Sequence, residues 1–202
     1  SRVTTFNLDE YVGLAPDHPG SYARYMNENL FDAININPQN AHIPNGVASD
    51  IPAHCQAYEK AIHEAGGIDL QVLGIGTDGH IGFNEPASSP VSRTRMTTLH
   101  DQTRKDNAEY FDSLGDVPTH AVTMCIGTIL ESRSCLLLAF GERKAPAVAS
   151  AVEGPIVASI PASALQSHPD TRLLLDEDSA SLLKRADHYR AAYEDKPEWQ
   201  KR

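Results

Sequence analysis

Two hydrophobic rhythms, one of period two and one helical, take turns along this chain. Val3–Leu8 reads as a strand and is closed off by a Pro/Gly turn at 16–20. Ser21 is placed as an N-cap for a helix that puts Tyr22, Tyr25, Met26 and Leu30 on one face. Asp50 and Pro52 open a second helix, with Cys55, Tyr58 and Ile62 inward and Gly66 as its stop. Leu70–Ile75 is strand-like, Arg93–Leu99 alternates as a strand, Gln102–Phe111 is helical, and Ala121–Ile126 is β-rich. Cys135–Phe140 is apolar without a break, the pattern of a strand buried on both faces. Gly141–Lys144 turns from it into a helix that ends near Gly154. Leu173–Leu175 is the last strand, Asp178 or Ser179 caps a final helix through about Tyr193, and a charged tail follows.

Alternation of this kind predicts an α/β fold. The expected form is an open, mainly parallel sheet with helices on both faces, a Rossmann-like three-layer sandwich. The 202 residues fit one domain, 1–202, with no repeat or internal linker. Composition changes this picture little, since 41% hydrophobic and 22% charged residues are ordinary for a globular chain.

Charge changes it more. A net charge of −10 argues against nucleic acid and anionic membrane surfaces as partners. No apolar run approaches the ~20 residues that span a bilayer. An anionic ligand would have to be held by local cations and backbone N–H groups, against the overall field. Cys55, Cys125 and Cys135 are odd in number, form no Cys-x-x-Cys pair and lie in apolar segments. They read as buried free thiols of a reducing cytoplasm.

The chemistry concentrates in Gly74-Ile-Gly-Thr-Asp-Gly-His-Ile-Gly-Phe-Asn-Glu-Pro86, which follows a strand. It sets Asp78, His80 and Glu85 on one glycine-rich loop, and an imidazole between carboxylates can take and return a proton near neutral pH. Three other readings compete. Gly74-x-Gly76-x-x-Gly79 matches a dinucleotide fingerprint, but Gly82 and Pro86 interrupt the helix it would need to open. One His with two carboxylates could bind a metal, yet it lacks a recognisable zinc spacing. The loop could also be purely structural, with His80 bonding neighbouring carbonyls. No metal and no cofactor are expected.

This loop closely resembles the signature of glucosamine-6-phosphate deaminases, within the sugar-phosphate isomerase and lactonase superfamily. Phe6-Asn-Leu-Asp-Glu-Tyr-Val-Gly-Leu14 resembles that family's other signature, and Ser92–Arg95 and Ser159–His168 extend the likeness over nearly the whole chain. The resemblance implies an enzyme of amino-sugar catabolism and N-acetylglucosamine utilisation, which opens a pyranose, isomerises an aldose to a ketose and releases ammonia. His80 then aligns with the acid–base of ring opening, with Asp78 and Glu85 as its partners. Asp9 aligns with the carboxylate that removes the C2 proton, while Glu10 beside it caps the next turn or pairs with a cation. Lys144 aligns with a phosphate-holding Lys, and Asn7 and Asn84 are amides for sugar hydroxyls or for bracing the loop. A related sugar-phosphate isomerase, a 6-phosphogluconolactonase-like hydrolase and a non-catalytic sugar-phosphate sensor are the alternatives.

Some relatives are hexamers activated by N-acetylglucosamine 6-phosphate. The resemblance therefore also implies a homo-oligomer and such an activator, with Ser88, Arg95, Thr98 and Tyr189 matching its site. Three departures stand out. Thr97 replaces a Lys of the regulatory set. Glu109 stands where enteric relatives carry a phosphate-contacting Arg, and Arg104 could compensate only if its helix shifted. Compared with the family, about two βα units that carry a phosphate-cradling loop are expected ahead of Ser1 and are missing.

Overall fold

The computed structural model describes residues 3–200, so the last two residues of the charged tail lie outside it. Strands β1 (Thr5–Phe6) and β2 (Asp9–Tyr11) come first, followed by helix α1 (Tyr22–Asn29), β3 (Ala41–His42), helix α2 (Ile51–Glu64) and β4 (Leu70–Gly74). The second half runs β5 (Arg95–Thr98), α3 (Asp101–Asp106), β6 (His120–Thr123), α4 (Ile126–Leu130) and β7 (Ser134–Ala139). It closes with α5 (Ala145–Glu153), β8 (Thr171–Leu175) and α6 (Ala186–Glu194).

β4, β7 and β8 form a parallel ladder with β7 central, in which Leu73, Leu137 and Leu173 lie in one row. β1 and β3 also pair in parallel. The remaining three strands are antiparallel in the order β2-β6-β5, with Asp9 and Arg95 flanking Thr123. The longer ladders are parallel, as the alternation predicts. The antiparallel trio is outside that pattern, because period-two alternation marks a strand without giving its direction.

Leu73, Leu137 and Ala139 pack against Ala147, Val148 and Ala151 of α5 and against Ala162 and Leu165. Each leucine-sized burial contributes roughly 1.5–3 kcal/mol. On the opposite side of the ladder Leu136 and Leu138 are half-buried, and Val72 and Leu174 are exposed. β7 is therefore fully buried on one face; its unbroken apolar run reports hydrophobicity, not the number of covered faces.

Helix ends follow the sequence closely. Ser21 caps α1, and Asp50 caps α2 by accepting from the Ala53 N–H, with Pro52 in the first turn. Cys55, Tyr58 and Ile62 are the buried positions of α2. On α1 only Ala23 is fully buried, while Tyr25 and Leu30 are exposed. Leu30 falls at the C-cap, where the helix has ended, so it never joins the face that its spacing suggested. The 102–111 segment divides into α3 and a 3-10 turn at Ala108–Tyr110.

One carboxylate ties three distant elements together. Glu59 on α2 accepts from the Thr94 N–H (2.8 Å) and hydroxyl, from the Thr128 hydroxyl (2.6 Å) and from Arg93 (2.6 Å). Burial alone would raise its pKa; the hydrogen bonds from Thr128 and Thr94 outweigh burial and hold it below the usual range. Glu59→Gln should cost about 1–3 kcal/mol near neutral pH, read by denaturant unfolding. A depressed pKa stabilises above the ordinary carboxylate range and is lost on acidification. The gap between variant and wild type should therefore narrow below about pH 4, and a gap constant with pH would discard the ionised clamp.

Candidate active site

β4 ends at Gly74, and the chain then turns so that the His80 ring lies over Gly76. A Cβ at Gly76 would fall inside that imidazole, so no other residue could seat it there. The Gly76 N–H donates to the His80 carbonyl at 2.9 Å and closes the loop on itself. Asp78 Oδ1 accepts from the His80 N–H at 3.1 Å and lies 2.7 Å from ring Nδ1. That bond outweighs burial and holds Asp78 down at about 2. With an ionised carboxylate at Nδ1, the proton resides there and Nε2 is left as the acceptor.

Glu85, 6% exposed in its side chain, places Oε2 at 4.0 Å from the same Nδ1. The three ligand-type atoms of Asp78, His80 and Glu85 lie within 4.8 Å of one another, close enough to surround a cation. Here the shortest contact spends Nδ1 on Asp78, so the group is arranged as a hydrogen-bonded relay.

Asp9 comes from the other signature. It starts β2 opposite Thr123, and Thr123 Oγ1 accepts from the Phe83 N–H at 3.1 Å, so one threonine joins both signature segments. Tyr11 and Phe83 complete the junction, with ring centroids 5.4 Å apart. At Gly82, where φ is +55°, a Cβ would stand 3.5 Å from Asp9 Oδ2; the loop backbone thus passes directly over the carboxyl. Burial, reinforced by the adjacent Glu10 charge and partly offset by His80, raises Asp9 to about 7. Glu10 is the capping residue: it accepts from the N–H groups of Tyr11, Tyr22 and Ala23 and from the Ser21 hydroxyl.

The remaining expectations divide. Lys144, half-buried at the turn into α5, donates from Nζ to the Ile75 carbonyl at 2.7 Å and so reaches the root of the loop. Burial lowers its pKa. Asn84 is a brace: it is fully buried, and its Nδ2 donates to the Ile81 and Met124 carbonyls at 2.9 Å each. Asn7 is fixed through its backbone to His42 and Tyr58, which leaves its amide for a ligand. Arg104 is committed to the Leu114 and Val117 carbonyls and does not stand in for the Arg absent at Glu109, which is itself exposed.

Of the regulatory set, Ser88 and Arg95 meet at 3.3 Å, and Arg95 also donates to Cys125 Sγ. Thr98 is exposed at the end of β5, and Tyr189 lies against Glu153 instead. All three cysteines are buried and free. A cavity of about 430 Å³ is lined by Leu14, Phe31 and Ile43 among others; Asp9, Asp78, His80 and Glu85 do not border it, and Glu10, which does, has both oxygens already engaged.

One neighbour went unread in the sequence. The His100 N–H donates to Glu85 Oε1 at 3.1 Å, and its Nδ1 stands 3.7 Å from Oε2. Fifteen residues separate the two, and the only signal was a histidine just ahead of a helix start.

Residues 1–174 match the family model described as glucosamine-6-phosphate isomerases/6-phosphogluconolactonase. The chain is 56% identical over 200 residues to a glucosamine-6-phosphate deaminase of Pseudarthrobacter chlorophenolicus, covering 99% of this chain and 77% of that one. A Streptomyces avermitilis protein of the same description is 52% identical, with the same coverage. Among solved structures, a monomeric glucosamine-6-phosphate deaminase superposes with a TM-score of 0.87 at 51% identity, over 89% of this chain and 74% of that one. A 6-phosphogluconolactonase from Thermotoga maritima shares the fold, at a TM-score of 0.69 and 23% identity over 86% and 72% of the two chains.

Proposed function

The chain belongs to the glucosamine-6-phosphate isomerase and 6-phosphogluconolactonase family, and we propose that Asp9 and His80 divide between them the two proton transfers of a glucosamine-6-phosphate deaminase. The reaction converts glucosamine 6-phosphate and water to fructose 6-phosphate and ammonia. What carries the assignment is the meeting of two separate segments: the Asp9 carboxyl beneath Gly82, and the His80 relay a few residues up the same loop.

His80 Nε2 accepts the proton of the anomeric hydroxyl and returns it to the ring oxygen, which opens the pyranose. Asp78 holds the imidazole in the tautomer this needs and stabilises it when charged. Asp9, ionised, removes the proton from C2, the electron pair forms the C1=C2 bond of the enolamine, and the former aldehyde oxygen takes up a proton from water. Reprotonation at C1 leaves an imine at C2, to which water adds and from which ammonia departs. A base that must hold a proton between two carbons works best with a pKa near the working pH, and about 7 suits it. Lys144 and the start of α5 present positive charge to the substrate phosphate.

The same proposal extends to the surroundings: a cytoplasmic enzyme, which three reduced thiols suit, and N-acetylglucosamine 6-phosphate as an activator held by Ser88 and Arg95 in an oligomer. Among the described residues no helix is long and apolar enough to cross a membrane.

His80→Gln tests the division of labour. Turnover of the cyclic substrate should fall on the order of 10²–10⁴-fold. A 5-deoxy analogue, which cannot close to the pyranose, should lose far less. Equal losses on both would place His80 outside ring opening.

A further inference from the structure

Glu85 Oε2 is buried and has no hydrogen-bond partner among the described residues, although two imidazoles stand close to it. His80 Nδ1 is 4.0 Å away and His100 Nδ1 is 3.7 Å away, both just beyond hydrogen-bond range. A buried carboxylate oxygen left unpaired costs about 1–3 kcal/mol, so a protonated ring on either side has good reason to close on it. The two rings differ in one respect. The His80 side chain is 17% exposed and already bonded to Asp78, whereas that of His100 is 52% exposed.

We infer that His100 is a positioning residue for the relay: its ring shares the Glu85 carboxylate with His80, so that charge on His100 opposes a proton on His80. The inference rests on the reading of His80 as the ring-opening acid–base. When His100 is charged, it draws Glu85 Oε2 toward itself and repels an imidazolium at His80. When neutral, it releases the carboxylate to His80. The effect is to keep His80 unprotonated, and able to accept, as the solution turns acidic.

Other charges facing this cluster are accounted for. Asp101 and Arg104 lie on the His100 helix; Asp101 is exposed and Arg104 is tied to carbonyls. Asp78 meets the same His80 Nδ1 that faces Glu85 and is present in every variant compared, Asp9 interacts with His80 through its charge, and His120, on β6, bonds to the Thr119 hydroxyl.

His100→Gln isolates the ring, because its backbone N–H still reaches Oε1. Gln is preferred to Asn, which would cap α3 and add stability of its own. The readout is the titration of the His80 ring protons by NMR in the free protein, with kcat/KM against pH beside it. His80 should titrate about half to one pH unit higher in His100→Gln than in wild type. The acid limb of kcat/KM should move in the same direction. In a Glu85→Gln background the further change His100→Gln should move His80 by much less. An unchanged His80 titration, or the same shift with and without Glu85, overturns the inference. Should wild type release no ammonia at all, the functional reading fails while the titration still decides the coupling.

Discussion

Asp9→Asn should lower ammonia release on the order of 10²–10⁴-fold and, at alkaline pH, make the fold more stable. Both effects come from one carboxyl. As the base it must be ionised, so wild-type kcat/KM should rise with pH through about 7. The fold makes that ionisation costly. A carboxylic acid raised from 3.8 to about 7 binds its proton more tightly folded than unfolded. Its contribution is therefore intact below about 4 and is lost as pH rises through about 7. By pH 8 the ionised group costs on the order of 2–4 kcal/mol. Asparagine removes that cost, so its advantage in Tm should grow from pH 4 to pH 8 and reach several degrees. Exchange of the C2 proton with deuterium should vanish in the same variant. Exchange at the wild-type rate, or a Tm difference flat across that range, would remove Asp9 from its role.

Gly76→Ala should be almost as damaging to activity, on the order of 10²-fold or more, although it adds a single methyl group. The backbone there does not need glycine for its φ; what needs glycine is the imidazole lying against it. The loop is held by its own hydrogen bonds, so the ring must give way, and with it the bond to Asp78. The decisive comparison is with His80→Gln. If Gly76→Ala acts only by displacing that ring, the double variant should be no slower than His80→Gln alone. A clear additional loss would mean that the alanine disturbs Asp9 or the substrate itself.

Much of this was legible in the chain. The bounds of α2 follow from Asp50, Pro52 and Gly66, and local chemistry needs nothing else. The loop stood out because acid–base side chains and glycines rarely share so short a stretch without reason. What escaped is what depends on partners far away in sequence. The Ala121–Ile126 run reads as β throughout, yet α4 begins at Ile126, since a fully buried run carries no period to tell strand from helix. For Asn84 the sequence leaves open a ligand-binding amide or a brace of the loop; only the fold shows its Nδ2 donating to the Ile81 and Met124 carbonyls. His100 had no motif to announce it; only the fold sets it beside Glu85.

The Glu59 clamp has a consequence for how the molecule assembles. Its donors lie 35 and 69 residues along the chain, so α2 cannot satisfy this carboxylate until β5 and α4 have arrived. Contacts that close such long loops tend to form after the rate-limiting step, once the loop entropy has been spent. A weakened clamp would then leave the refolding rate nearly untouched and appear almost wholly as faster unfolding. On that view Glu59 sets how long the folded molecule lasts.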